Sequence, residues 1–197
     1  DEVLAIDGKT ARRSHSTAQA ALHTVTLWSS QYDLVLGQEQ VAEKSNELTA
    51  IPVLLQTTNP AGAVVTIDAM GTQKDIAWLI REQHAHYVLA LKDNHPKLYE
   101  DVKWLFAHGD SLGWKDLDHS YAHTLTKAHG REEHREGWVL AVADIDLLDN
   151  KIAWRDLQCV VRVRNTCTRK GVTSQEDRFF ITSLPSDAGR IMRSVRY

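Results

Sequence analysis

Two aspartates stand at the ends of apolar runs. Asp7 closes "VLAID" and Asp68 closes "VVTID", with Gly8 directly after the first and Gly71 three residues after the second. An ionised carboxylate at the end of a buried strand is costly unless it is paired or binds a cation. Two carboxylates brought together repel one another until a cation neutralises them. Hard divalent cations such as Mg²⁺ take oxygen ligands, commonly one or two carboxylates plus substrate phosphates. The chemistry within reach of such a pair is metal-dependent phosphoryl transfer. The plainer alternative is that each aspartate caps a turn, with Gly8 and Gly71 as turn residues.

Cations follow the first aspartate closely. Lys9, Arg12 and Arg13 fall in "GKTARRSHSTAQ", read as a basic polar loop that can hold phosphates, or as an ordinary solvated loop. In "EKSNE", Lys44, Ser45 and Asn46 precede a helix, whose N-terminus favours anions; simple capping by Ser45 is the competing reading. Lys74 and Lys92 are weaker phosphate candidates. His119, His123, His129 and His134 crowd one short span, a composition that can bind zinc. No cysteine is nearby and the spacing is not helical, so a solvated polar loop is the alternative.

The elements that must position these groups follow from hydrophobic periodicity. "VLAID", "ALHTVTLWSS" and "YDLVLGQEQV" read as three strands of a meander. "SNELTAIPVLLQTTN" reads as a helix with Leu48, Ile51, Val53, Leu54 and Leu55 on its apolar face and Pro52 tolerated near its start. "AVVTIDAM" is a strand, "QKDIAWLIREQH" a helix with Ile76, Leu79 and Ile80 inward, "YVLALK" a strand and "HPKLYEDVKWLF" a helix. The order is βββαβαβα. A crossover helix returns the fourth strand parallel to an earlier one. If it lands beside the first, Asp7 and Asp68 share the carboxyl edge, where ligands of such sheets collect.

Beyond Gly113 the chain is richer in histidine and strands, with "REGWVLAVADI", "LQCVVRVRN" and "RFFITSL" the clearest. "LPSDAGRIMRSVRY" begins a helix, capped by Ser186 or Asp187, with Ala188, Ile191, Met192 and Val195 on one face. It carries no stop signal, and the chain opens on Asp1 rather than Met; a piece of a longer protein, cut in mid-helix, is expected. Six tryptophans, at 28, 78, 104, 114, 138 and 154, are read mostly as core.

Bulk properties narrow the class. The 197 residues are 43% hydrophobic and 25% charged, which suits one globular domain with an insertion. A net charge of −3 rules out a globally basic nucleic-acid binder, so any such partner must be met by local patches. No apolar run reaches the roughly 18 residues needed to cross a membrane, and no signal segment opens the chain. The two cysteines, Cys159 and Cys167, make no disulfide framework, and a reducing, cytoplasmic setting suits them.

"AIDGKT", "LHTVT", "LVLGQEQVAEKSNELTAIPVLL", "VVTIDAMGTQKDIA", "YVLALKDNH" and "HGREEHR" resemble, in that order, the motifs of bacterial insertion-sequence transposases of the DDE type. The branch is the one that includes the H-repeat-associated proteins. The resemblance runs through nearly the whole chain. It implies a ribonuclease H-like mixed sheet in which two aspartates and a glutamate hold two Mg²⁺ or Mn²⁺ ions. It also implies DNA as partner, both element ends and target, with homo-oligomers assembled on that DNA. Asp7 and Asp68 match the family's aspartates. The family's glutamate belongs to a His-Trp-x-x-Glu-Asn helix placed after a segment like "IMRSVRY", and is expected beyond Tyr197. Glu133, in "HGREEHR", matches a position the family keeps acidic. It is an auxiliary catalytic candidate, or else a surface ion-pair partner of Arg131 or Arg135. The family has Arg-Gly after Gly-Lys-Thr-x, where this chain has Arg12 and Arg13.

The expected organisation is a ribonuclease H-like core over 1–112, a β-rich insertion or sheet extension over 113–184, and the start of the C-terminal core helix over 185–197. The expected function is the catalytic core of a DNA transposase, cutting and joining strands. The rivals are a non-catalytic DNA- or protein-binding remnant of a mobile element, and a ribonuclease H-like nuclease.

Overall fold

The first half of strand β1 (Val3–Thr10), Val3 to Ile6, and strand β4 (Val64–Ile67) are near-continuous apolar runs, the pattern of parallel strands covered on both faces. They pair in parallel, Val3 opposite Val64 through Ile6 opposite Ile67. The computed structural model describes residues 1–10, 23–41, 47–115, 117–128, 130–145 and 153–195. It divides into two compact units, one of residues 1–89 and one of residues 90–196.

In the first unit, β2 (His23–Ser29) and β3 (Leu34–Val41) form an antiparallel meander on β1. Helix α1 (Glu47–Thr58) crosses to β4, and α2 (Lys74–Glu82) to β5 (His86–Leu91), which lies parallel to β4. The strand order β3-β2-β1-β4-β5 is that of a ribonuclease H-like sheet, and the element order is the one the periodicity predicts. β1 runs further than expected: its ladder with β2 continues to Thr10 opposite His23, so Gly8 and Lys9 are strand residues, not loop.

The buried side of α1 is Glu47, Ala50, Ile51, Leu54 and Leu55, a helical i, i+3, i+4, i+7, i+8 stripe. Val53, expected inward, is 41% exposed because it falls off that stripe. Pro52 is the sixth helical residue and forfeits one backbone bond. In α2, Ile76, Ala77 and Ile80 are buried while Leu79 is only half-buried.

In the second unit, α3 (Pro96–Leu112) runs six residues beyond Phe106, to a left-handed cap at Gly113 with φ 59°. β6 (Ser120–Ala128), β7 (Arg131–Ala141), β8 (Cys159–Arg169) and β9 (Val172–Thr182) then make an antiparallel meander, order β9-β8-β7-β6. The histidine-rich span is therefore a hairpin and not a solvated loop. β6 pairs with β7 across a turn with Gly130 at φ 70°, and Lys127 meets Glu132 at 2.7 Å across it. Buried residues collect at one end of the meander, among them Val139, Leu140, Val160, Val161 and Ile181.

Helix α4 (Ala188–Ser194) starts at Asp187, whose side chain accepts the Arg190 N–H, and buries Ala188, Ile191 and Met192. Met192 lies against Gly137, where a Cβ would come within 2.6 Å of its Sδ. Of the tryptophans only Trp138 and Trp154 are buried; Trp78 and Trp104 are 47% and 55% exposed, and Trp28 and Trp114 are half-buried. The expectation that most are core fails because exposed helix faces carry two of them. Cys159 and Cys167 are both free thiols.

Candidate active site at the ends of β1 and β4

The register that ends at Ile6 opposite Ile67 puts Asp7 and Asp68 next, side by side on adjacent parallel strands. Such strands run about 4.8 Å apart. Both aspartates are exposed: Asp68 directly follows β4, and Asp7 lies within β1, just past the mostly buried stretches Val3–Ile6 and Val64–Ile67 that pair in parallel. Asp68 also does what a turn aspartate does. Its Oδ1 accepts the Met70 and Gly71 backbone N–H groups at 3.1 and 3.2 Å, and Thr72 Oγ1 donates to its carbonyl. The turn thus fixes Asp68 by one oxygen. Gly71 is glycine for closeness of packing: a Cβ there would overlap the Ile67 and Ile51 side chains.

Asp7 is no turn residue, because β1 continues past it. Its Oδ2 lies 3.5 Å from Lys9 Nζ, with the two side chains 57% and 79% exposed. An exposed pair of this kind is worth about 0–1 kcal/mol and gives way readily to a better ligand. Lys74 opens α2 and is exposed there, where the helix N-terminus adds positive potential. Lys92 follows β5 in the second unit, its backbone N–H donating to Asn94 Oδ1. Arg12, Arg13, Lys44 and Ser45 lie outside the described residues.

Glu133 lies on β7 in the second unit and meets Arg131 Nε at 3.0 Å, the surface ion pair weighed above. His123 and His134 rings approach edge-on at 5.6 Å, and His134 Nδ1 is 3.8 Å from Glu136. His129 lies outside the described residues. Among the described residues no three His, Cys, Asp or Glu side chains gather to hold a metal, either at this hairpin or beside Asp7 and Asp68.

Sequence reasoning missed two residues next to this edge. His23 is 3% and Glu47 5% exposed, and His23 Nε2 is hydrogen-bonded to Glu47 Oε1. A Cβ on Gly8 would overlap the same Glu47 carboxyl group. The signal was present: Glu47 opens the buried stripe of α1, and His23 opens the alternating buried face of β2.

Comparison with known proteins then gives the class. Residues 1–175 match the transposase DDE domain, and the chain belongs to that family. It is 41% identical over 185 residues to an uncharacterised protein in the dhlA 3′ region of Xanthobacter autotrophicus, covering 93% of this chain and 61% of that one. It is 37% identical over 205 residues to the "H repeat-associated putative transposase YhhI" of Escherichia coli K12, covering 99% and 52%. The "H repeat-associated putative transposase YbfD" of the same organism is 40% identical over 154 residues, 75% of this chain and 58% of that one. The chain therefore spans between half and about three-fifths of the length of these relatives. A solved chain from a piggyBac transposase synaptic complex with hairpin DNA aligns at a TM-score of 0.46 and 10% identity, over 96% of this chain and 36% of that one. That likeness is too weak to bear on function. No described helix is long and apolar enough to cross a membrane.

Proposed function

We propose that this chain is the catalytic core of a DNA transposase whose third acidic residue lies in sequence beyond these 197 residues. The observation that supports the reading is the parallel register of β1 and β4, in which Asp7 and Asp68 follow the paired residues Ile6 and Ile67, on the edge where ligands of parallel sheets collect. Membership of the transposase DDE domain family supports it.

The donor set fits a hard divalent cation: two exposed carboxylates on adjacent parallel strands, one oriented by its turn, with water and phosphate oxygens left to complete the shell. Asp7 and Asp68 would hold Mg²⁺ or Mn²⁺ there. Such an ion supplies Lewis-acid stabilisation of the phosphoryl oxygens and a more acidic bound water. The remaining work falls to the protein's own groups. The Lys9 ammonium, in a weak surface pair with Asp7 among the described residues, can exchange Asp7 for a DNA phosphate. Lys74 at the start of α2 offers a second phosphate contact, and Arg12, Arg13, Lys44 and Lys92 are further candidates. Phosphate contacts position the duplex without reading its sequence. The partners in this reading are the element's ends and its target DNA, with more than one copy assembled on them.

The test is cleavage of DNA carrying element ends. The 197-residue chain is expected to be inert, and a chain extended through the next helix to nick and join DNA in Mg²⁺, with both reactions lost in Asp7→Ala. Metal-dependent cleavage by the 197-residue chain, abolished by Asp7→Ala, would instead put the third acid inside this sequence, with Glu133 the first candidate. An extended chain that never cuts would favour the non-catalytic remnant.

A further inference from the structure

Glu47 and His23 lie almost wholly out of water, with side-chain exposures of 6% and 4%. A pair of ionisable groups so deeply buried seldom stabilises a fold more than apolar residues of the same size. Its value here lies in its position. Gly8 directly follows Asp7, and the Glu47 carboxyl occupies the volume a side chain at residue 8 would fill.

Alternation along β1 puts Leu4, Ile6 and Gly8 on one face, with Gly8 against Glu47 of α1, and Asp7 on the opposite face. His23 pairs with Thr10 in the ladder, Val25 with Gly8 and Thr26 with Asp7. The pair therefore lies against β1 at Gly8, on the side away from the Asp7 side chain.

We propose that the His23–Glu47 pair is a positioning device for the acidic edge: it fixes the β1 backbone at Gly8 and so sets where the Asp7 carboxylate stands beside Asp68. The proposal rests on reading that edge as a divalent-cation site. A hydrogen bond of defined direction, pressed on a residue with no side chain, holds the backbone more tightly than a flexible apolar contact. Groups hydrogen-bonded directly to ligands change metal affinity roughly 10- to 100-fold when removed, and a brace that acts through the adjoining backbone is set at the low end of that range.

Titration calorimetry with Mn²⁺ on the 197-residue chain tests this, with circular dichroism to confirm folding. Glu47→Gln keeps the shape and is expected to lower Mn²⁺ affinity about tenfold. Leu54→Ala, on the same helix where it packs against Gly37, is expected to lower stability with Mn²⁺ affinity unchanged. That contrast separates positioning from a merely structural role. Should Glu47→Gln not fold, the neutral pair His23→Gln/Glu47→Gln replaces it under the same criterion. Wild-type Mn²⁺ affinity in the folded variant, with binding lost in Asp7→Asn, would overturn the proposal and leave the metal site standing. Binding that survives Asp7→Asn would overturn both.

Discussion

In the first unit the His23–Glu47 pair is buried at both ends, whereas in the second Arg162 is 2% exposed and its partner Asp110 is 39% exposed. Arg162 donates to both Asp110 oxygens at 2.7 and 2.8 Å, joining β8 to α3. Its guanidinium carbon lies 4.1 Å from the Trp138 ring centroid, 5.4 Å from that of Phe106 and 5.6 Å from that of Trp114. A planar, weakly hydrated cation tolerates such an aromatic nest, and its carboxylate keeps contact with water. Arg162–Asp110 is thus a fastening between helix and sheet. His23–Glu47 has no such wet end, and it presses on the strand that carries Asp7. Similar chemistry serves packing in one unit and, on our reading, the geometry of a site in the other.

Removing one partner should hurt most where both are buried. Glu47→Ala removes the buried carboxyl that His23 Nε2 meets and is expected to cost about 3–5 kcal/mol in urea unfolding. Asp110→Ala is expected to cost less, about 3 kcal/mol, because the aromatic rings still cover the Arg162 cation. An equal or reversed order would break the contrast between the two pairs.

Acid sharpens the same contrast. The hydrogen-bonded Arg162 guanidinium holds the Asp110 carboxyl below its usual range, with burial opposing it more weakly. The folded value lies below the unfolded one, so the stabilisation is complete above about pH 4 and is lost as pH falls through the folded value. Exposure of Asp110 screens the effect, and a shallow change is expected. The stability gap between wild type and Asp110→Asn, followed by urea midpoints from pH 6 downward, should narrow only below about pH 4. A gap that closes nearer neutrality would contradict it.

The smallest effect expected is chemical. Burial pushes the Cys159 thiol up to about 11, while Cys167 is half-buried. Thiol labelling of the native chain at pH 8 should modify Cys167 first and reach Cys159 only on unfolding, which makes Cys159 a reporter for the second unit. Rapid double labelling of folded protein would contradict its burial.

Much of this was legible in the residues. The apolar runs ending in Asp7 and Asp68 and the helical periodicities sufficed for the element order through α3, and they made the pairing of the first and fourth strands a conditional reading that the register bears out. What stayed hidden were charged residues on buried faces. Glu47 at a helix start looks like an ordinary first-turn acid, and only the completed stripe with Ala50, Ile51, Leu54 and Leu55 shows that it faces inward. Arg162 stands among valines in "CVVRVRN", and nothing local says that Phe106, Trp114 and Trp138 will gather round it. β6 was obscured because its side chains are mostly exposed and polar, so no apolar alternation marks it.

The central claim is that Asp7 and Asp68 act together on one divalent cation. A Mn²⁺ titration of wild type, Asp7→Asn, Asp68→Asn and the double variant addresses it directly. Each single change is expected to weaken binding more than about tenfold, and the double change to add little, because the shared ligation is already gone. Binding that stays unchanged in either single variant, or falls independently in the two, would contradict a shared site.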